Sequence, residues 1–344
     1  MPEKIILAGL GHSHPKQTIP NDFFDGLQID SSAQWVEDRT GIQSRRSVLS
    51  KDLIQRLRHK ECSLDELREQ GLVPLLTELV KEPWDMALSR LPQDGLLTSA
   101  FVQTLDLLLC GTSIPDFYIP ANASMIAKEL RLSCTAFDVN SACSSFVTNL
   151  FVARSVLLSS AYSRVAIFNP ERYTLSLDYE DKKSCVLFGD GSSCALLLKT
   201  SDQTLRGLEL LDVILHSDPS GAEQITIPVG ACFHQNGAAV QKFAVGKTLA
   251  VTHEILEKNS LRVQDLRYFL GHQANLRMLK SVAEKLGLTE EQHLFNVDLY
   301  GNQGAAGAPA VLSSSWEKYR KGDLILVAVV GSGLTWGSAL FRCQ

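Results

Sequence analysis

The sequence predicts an α/β protein made of two related halves, each a sheet covered by helices. Three observations carry this. A strand, a turn of small residues and a helix succeed one another around Cys143, and the same grammar returns after Tyr268 and after Phe295. Each half closes on a glycine turn between apolar runs, Phe188-Gly189-Asp190-Gly191 in the first and Gly331-Ser332-Gly333 in the second. A chain of 344 residues with 45% hydrophobic content can bury a large core. The halves are expected at 1–200 and 201–344, alike in pattern rather than in identity.

Met1-Pro2-Glu3-Lys4 before Ile5-Ile6-Leu7-Ala8 is too short for a secretory leader and reads as the start of a strand over 4–11. His12 and His14 follow in a loop; with no third ligand they predict no metal. Residues 31–42 carry a capped helical turn with Trp35, then the turn Arg39-Thr40-Gly41. A Trp near an Arg can stack on a nucleotide base, but a Trp packed under the core edge is the commoner use. Over 43–99 the pattern is weakest. Arg45, Arg46, Lys51, Arg56, Arg58, His59 and Lys60 form a local basic cluster, either a solvated face or a docking surface for an acidic partner. Ser63 and Glu66 make a capping box, and Leu72, Leu75, Leu76, Leu79 and Val80 continue a helical period.

The apolar run 102–109 predicts a buried strand, and Asn122 opens a helix through Ile126, Ala127 and Leu130. Residues 137–140 are the central strand. A helix starts at or just after Cys143, with Ser141 and Ser144 as caps and Val147, Leu150, Ala153 and Leu157 at helical spacing. Strands follow at 164–168 and on both sides of the Gly189-Asp190-Gly191 turn. The second half reads as a helix over 241–258, a strand from Tyr268, a helix through Leu276, Leu279, Val282 and Leu286, and a helix ending at Tyr319. Strands at 324–330 and after Gly333 complete it.

A formal net charge of −5 argues against nucleic acid as a partner. No apolar run approaches the roughly 20 residues of a membrane span. The eight cysteines contain no Cys-x-x-Cys pair and no metal-ligand spacing, which suits a reduced, cytoplasmic setting.

Cys143, His272 and Asn302 all fall at strand ends. A thiol at a helix start sits against unpaired N–H groups and the positive end of the dipole, which favours thiolate. Taken alone, a buried Cys among small residues is more often a packing residue. Acyl transfer through a thioester needs such a nucleophile. A His–Asn pair can donate two hydrogen bonds to one oxyanion, such as the enolate left when a malonyl thioester loses carbon dioxide. Asn stays neutral and suits polarisation. The backbone N–H groups of Cys143 and Ser332 can form a second oxyanion hole. Each residue also has a bland reading, His272 as a satisfied core histidine and Asn302 as a turn residue.

These stretches resemble β-ketoacyl-acyl-carrier-protein synthase III, of the thiolase-like condensing enzymes. The likeness is carried by Asp138-Val139 to Cys143 and Phe146, Lys242-Phe243-Ala244-Val245, His272-Gln273-Ala274-Asn275-Leu276-Arg277, Tyr300-Gly301-Asn302 and Leu334-Thr335-Trp336-Gly337-Ser338-Ala339-Leu340. Phe188-Gly189-Asp190-Gly191, Trp35 and Arg39-Thr40-Gly41-Ile42 match as well. The resemblance implies a five-layered α-β-α-β-α fold, a homodimer and a Cys143–His272–Asn302 triad. It implies acylation of Cys143 followed by a Claisen condensation. It implies a phosphopantetheine tunnel at Trp35, Arg39, Lys182 and Asn275, and docking of an acidic acyl carrier protein on Lys242 and Arg277. No cofactor or metal is implied beyond the coenzyme A or phosphopantetheine arm that carries the substrate.

The chain departs from the pattern in four places, one being a turn that reads Gly-Ser-Gly rather than three glycines. The segment between Arg39 and Ile119 is longer by one or two helices, with an enlarged stretch at about 43–100. Ile119 stands where a phenylalanine gates the acyl pocket across the dimer interface. Lys182 stands where an arginine holds the coenzyme A adenine, and a lysine point charge does not stack as a guanidinium does. These departures point to a ketosynthase of polyketide (antibiotic) biosynthesis. It would condense an acyl chain on Cys143 with a carrier-bound β-ketoacyl thioester, with closure to an α-pyrone. The alternatives are the fatty-acid-initiating synthase using acyl-coenzyme A and malonyl carrier protein, acyl transfer to oxygen or nitrogen, and an inactive partner subunit.

Overall fold

The computed structural model describes residues 3–91, 96–159 and 161–344. Met1 and Pro2 of the expected strand start, and residues 92–95 of the enlarged segment, lie outside the described residues. The first half runs β1 (Lys4–Ser13), β2 (Gln17–Pro20), α1 (Asp22–Asp25), α2 (Ala33–Thr40), β3 (Ser44–Ser47), α3 (Lys51–Arg58), α4 (Leu64–Glu69), α5 (Lys81–Ser89) and α6 (Leu96–Gln103). It continues with β4 (Leu107–Cys110), α7 (Asn122–Glu129), β5 (Thr135–Asp138), α8 (Ser145–Ser159), β6 (Arg164–Phe168) and β7 (Ser192–Thr200). Next come β8 (Leu208–Ser217), β9 (Ile225–Thr226), β10 (His234–Gln235), α9 (Gly237–Lys258), β11 (Tyr268–Gly271) and α10 (Leu276–Leu286). The chain ends with α11 (Val297–Tyr300), α12 (Gly307–Ser314), β12 (Leu324–Gly331) and β13 (Thr335–Cys343).

Among the described residues, nine strands hydrogen-bond in the order β5-β4-β6-β7-β1-β8-β13-β12-β11. The join between β1 and β8 is only two residue pairs, Ile6 with Glu209 and Leu7 with Leu208. The strands on either side therefore form two sheets meeting at one seam. The sheets share a topology. β1–β7 and β7–β6 are antiparallel and β6–β4 is parallel; β8–β13 and β13–β12 are antiparallel and β12–β11 is parallel.

The buried clusters define the layers. One lies between the sheets and holds Phe146, Leu150 and Leu157 of α8 and Val311 and Leu312 of α12. A second packs α5, α6 and α7 on the outer face of the first sheet, and a third packs α9 and α10 on the outer face of the second. This gives the expected α-β-α-β-α arrangement. Each fully buried Leu or Phe in these layers contributes about 1.5–3 kcal/mol. Glycines in β1 let α5 press onto the strand: a Cβ at Gly11 would stand 1.9 Å from the Pro83 carbonyl oxygen. The 18 residues Ala142–Ser159, with mean hydropathy 1.3, are long and apolar enough to cross a membrane by length and composition. They form α8 and its lead-in, inside the central layer.

Several local expectations are corrected. The run 102–109 is the end of α6 followed by the short strand β4, because an apolar run does not by itself distinguish helix from strand. Leu72 and Leu75 are exposed, and only a single helical turn, Leu76–Leu79, forms there. The strand expected before Gly189 is a series of turns. The strand leading to Cys143, β5, is at the sheet edge rather than the centre and is largely exposed. His12 belongs to β1, its Nδ1 2.8 Å from Ser313 Oγ, and His14 stacks on Tyr300 at 3.7 Å.

The basic cluster at 45–60 is not one surface. Arg45 is buried, donating to Ile19 O, Asn21 Oδ1 and Val186 O, with its guanidinium 4.7 Å from the Phe24 ring centre. Arg58 pairs with Glu180 at 2.7 Å. The expected capping box is present: Ser63 Oγ accepts from Glu66 N, and Glu66 Oε2 accepts from Ser63 N at 2.7 Å.

Candidate active site

β5 ends at Asp138, whose carboxylate accepts from Asn122 N and Ala123 N, both at 2.8 Å, and so caps α7. The chain then turns tightly. Asn140 Oδ1 accepts from Ala142 N at 2.9 Å, and Ala142 takes φ +50°, a left-handed conformation that few side chains adopt. This turn lifts Cys143 above the start of α8. Ser141 and Ser144 do not cap the helix as expected. Ser144 Oγ donates to Ser141 O at 2.7 Å, and Ser145 Oγ accepts from Ser141 N at 2.8 Å. These bonds tie the turn to itself.

His272 follows β11 and Asn302 follows α11. Both are buried, and both line a cavity of about 780 Å³ together with Cys143. Asn302 is held by its backbone, its N–H donating to Leu187 O at 2.8 Å and its carbonyl accepting from Gly189 N at 3.0 Å. Its Oδ1 accepts from Gly304 N at 3.0 Å, which leaves the amide nitrogen to donate into the cavity. Ser332 also lines the cavity. Its neighbour Gly331, the last residue of β12, touches the nucleophile turn: a Cβ there would lie 2.7 Å from both Ser141 O and Ser144 N.

The electrostatics of the thiol differ from the expectation drawn from the helix start. Burial and the Glu171 carboxyl push the Cys143 thiol up to about 12, while the contact with the Tyr173 hydroxyl and a backbone N–H pull it down. The resting nucleophile therefore carries its proton. Burial also holds His272 down to about 4, so its imidazole is neutral near pH 7 and can accept or donate one proton. Among the described residues its Nδ1 has no hydrogen-bond partner.

Trp35, Arg39, Lys182 and Asn275, expected along the tunnel, all line the same cavity. Asn275 Oδ1 caps α10 by accepting from Met278 N at 2.8 Å. Lys182 bonds to Asp30, and its ammonium sits 5.2 Å from the centre of the Trp35 ring. Lys242 on α9 and Arg277 on α10 are exposed, and among the described residues neither has an ion pair. Ile119 does not reach the cavity of its own chain; it is 86% exposed, next to exposed Phe117 and Tyr118. No group of three or more His, Cys, Asp or Glu suited to a metal occurs among the described residues.

The sequence reading missed Ser113, Glu171 and Tyr173. Tyr173 stacks on Phe188 at 4.6 Å, and its hydroxyl is 3.7 Å from Cys143 Sγ. A Glu three residues past the end of the buried strand β6 was the available signal, since a lone buried carboxylate is costly unless bonded.

Two matching half-folds, with a thiol, an imidazole and a carboxamide on one cavity lined by residues of both, fit an acyl-transferring condensing enzyme of thiolase-like fold. The family model described as 3-oxoacyl-[acyl-carrier-protein] synthase III matches residues 137–219, and the model of that family's C-terminal part matches 256–343. A β-ketoacyl-[acyl-carrier-protein] synthase III of Aliarcobacter butzleri is 33% identical over 352 residues, covering 97% of this chain and 96% of the relative. The crystal structure of 3-oxoacyl-[acyl-carrier-protein] synthase III from Aquifex aeolicus superposes with a TM-score of 0.84 at 28% identity, covering 99% of this chain and 100% of that one. The priming β-ketosynthase from the R1128 polyketide biosynthetic pathway shares the fold, with a TM-score of 0.80 at 24% identity and coverage of 99% and 98%. The chain belongs to the 3-oxoacyl-[acyl-carrier-protein] synthase III family.

Proposed function

We propose that Cys143 takes an acyl group as a thioester and that the enzyme joins it, through a carbon–carbon bond, to a second carrier-bound (β-keto)acyl thioester in polyketide biosynthesis, with the product closing to an α-pyrone. The observation that carries this reading is the convergence of Cys143, His272 and Asn302 on one cavity whose wall includes Trp35, Arg39 and Asn275. The backbone N–H groups of Cys143 and Ser332 stabilise the oxyanion at the acyl carbonyl. Asn302 donates to the enolate oxygen of the second substrate. Neutral His272 removes the acidic proton between the two carbonyls of a β-ketoacyl partner. For a malonyl partner it instead donates to the enolate released with carbon dioxide.

The ammonium of Lys182 covers the Trp35 ring at the cavity wall, which supports a carrier protein rather than coenzyme A as acyl donor. Exposed Lys242 and Arg277 offer positive charge to an acidic carrier. The edge strand β5, with exposed Phe137, offers unpaired backbone groups to a second copy, and Phe151, Leu158 and Ile119 are further exposed apolar side chains. In such a dimer Ile119 would gate the partner's pocket.

A second reading, fatty-acid initiation from acyl-coenzyme A and malonyl carrier protein, is favoured by the names of the curated relatives. Intact-protein mass spectrometry separates the two. Incubation with acetyl-coenzyme A, and separately with acetyl, medium and long acyl chains on a carrier protein, reports the adduct on Cys143. Adducts only from longer carrier-bound chains support the chain-joining reading. An acetyl adduct from coenzyme A returns the enzyme to initiation, and no adduct with any donor removes Cys143 as the acyl carrier.

A further inference from the structure

A connected line of hydrogen bonds leads away from the nucleophile. Cys143 Sγ is 3.7 Å from Tyr173 Oη. Tyr173 Oη donates to Ser113 Oγ at 2.8 Å, and Ser113 Oγ donates to Glu171 Oε1 at 3.2 Å. Glu171 has no exposed surface and Tyr173 is 2% exposed. The Glu171 carboxyl has no ion pair among the described residues; Ser113 N at 2.9 Å and Ala305 N at 3.2 Å donate to it, and Thr112 Oγ1 lies at 3.5 Å. A buried carboxyl held only by neutral donors, two hydroxyls away from a buried thiol, has no packing role that requires its charge.

We propose that Cys143 and Glu171 share one proton through Tyr173 and Ser113, so that Glu171 takes the thiol proton when the acyl-enzyme forms and returns it when the acyl group leaves. This rests on the reading that Cys143 is the nucleophile. The step balances. The S–H bond of Cys143 breaks and an O–H bond forms on Glu171, while Tyr173 and Ser113 each accept one proton and pass one on. The thiolate electron pair forms the new C–S bond, and the donor's carrier thiolate leaves and takes a proton from water. When condensation expels Cys143 as thiolate, the relay runs backward and restores the thiol. Tyr173, which touches the reacting sulphur, is then a catalytic residue, and Glu171 and Ser113 act through it.

The charges around the relay do not supply a better acceptor. Arg172, next in the chain, is committed to Asp116 at 2.7 Å, and Cys110 on β4 is a thiol raised chiefly by burial and further by Asp138 and Glu171. His272, on the same cavity, is held down to about 4, whereas burial pushes Glu171 up to about 8, the better match for a thiol.

The test is the pH dependence of Cys143 alkylation by iodoacetamide in the full-length protein, followed by mass spectrometry. The wild type is expected to gain reactivity with an inflection near pH 8. Tyr173→Phe keeps the ring packing and the Glu171 charge but breaks the relay. Alkylation at pH 7.5 is expected to slow about tenfold, equal to one unit of pKa, with the inflection moved upward. Glu171→Gln is expected to slow it too. A purely electrostatic role for Glu171 predicts the reverse, because removing a negative charge eases thiol ionisation. Faster alkylation in Glu171→Gln, or an unchanged profile in Tyr173→Phe, overturns the relay while leaving Cys143 as nucleophile. A wild-type Cys143 that does not alkylate overturns both. Should Glu171→Gln not fold, Tyr173→Phe and Ser113→Ala decide between the two roles.

Discussion

Asn302 takes its direction from one hydrogen bond. With Oδ1 engaged by Gly304 N, the amide nitrogen is the group left to donate at the cavity wall. Asn302→Asp keeps the volume and shape but replaces that donor with a second oxygen. Acylation of Cys143 is expected to persist while condensation falls by about 100-fold or more, the usual cost of losing one oxyanion donor. Intact mass and product chromatography on the same samples read the two steps separately; loss of the acyl adduct as well would place Asn302 in the first step. At this scale the nucleophile's neighbours were the least legible feature. Tyr173 and Glu171 are close together in sequence, but nothing local says that they meet Cys143 and Ser113, which come from other strand ends.

The nucleophile turn is pinned from outside by an element distant in sequence. β12 ends at Gly331 against Ser141 and Ser144, and both contact atoms at 2.7 Å belong to backbone. Gly331→Ala must therefore displace either the strand end or the turn. A destabilisation of about 1–3 kcal/mol, typical of overpacking, is expected together with slower acylation. Thermal unfolding and the rate of adduct formation check it; a wild-type Tm with a wild-type rate would show slack between β12 and the turn. Helices were legible where a period ran long enough. α8, α9 and α10 follow their apolar spacing, and the Ser63–Glu66 box marks α4. The errors fall on short apolar stretches. Residues 102–109 carry no period that separates a helix end from a strand, and of the helical period in 72–80 only Leu76 and Val80 find the core while Leu72 and Leu75 stay exposed.

The molecule as a whole carries a pH dependence written in its buried groups. His12, His272 and His293 are lowered to about 4 and His14 to about 3, chiefly by burial. As pH falls through 6.5 the unfolded chain binds these protons and the folded chain does not. Their contribution is full above 6.5 and declines toward pH 4. Glu171 and Asp190 act in the opposite sense, raised by burial to about 8 and about 6. Their contribution is full below the unfolded values of 4.5 and 3.8 and is lost as pH rises through the folded ones. From pH 8 down to 6.5 Glu171 alone adds stability; below 6.5 four histidines outweigh two carboxyls. Tm is expected to peak near pH 6.5, measured by scanning fluorimetry from pH 4.5 to 8. A Tm still rising between pH 6.5 and 8 would show that Glu171 is ionised in the folded protein.

What the sequence determined by itself was the class of fold, the two-half plan, most long elements and the candidates Cys143, His272 and Asn302. Such features are local: a hydrophobic period, a small-residue turn and a capping pair are set by residues within a few positions of one another. Only the tertiary structure placed β5 at the sheet edge, turned Arg45 inward, kept the proton on the Cys143 thiol and strung Tyr173, Ser113 and Glu171 behind it. Strand order, desolvation and hydrogen-bond connectivity depend on which distant segments pack together, and the cost of burying a charge is fixed by those neighbours rather than by the residue that carries it.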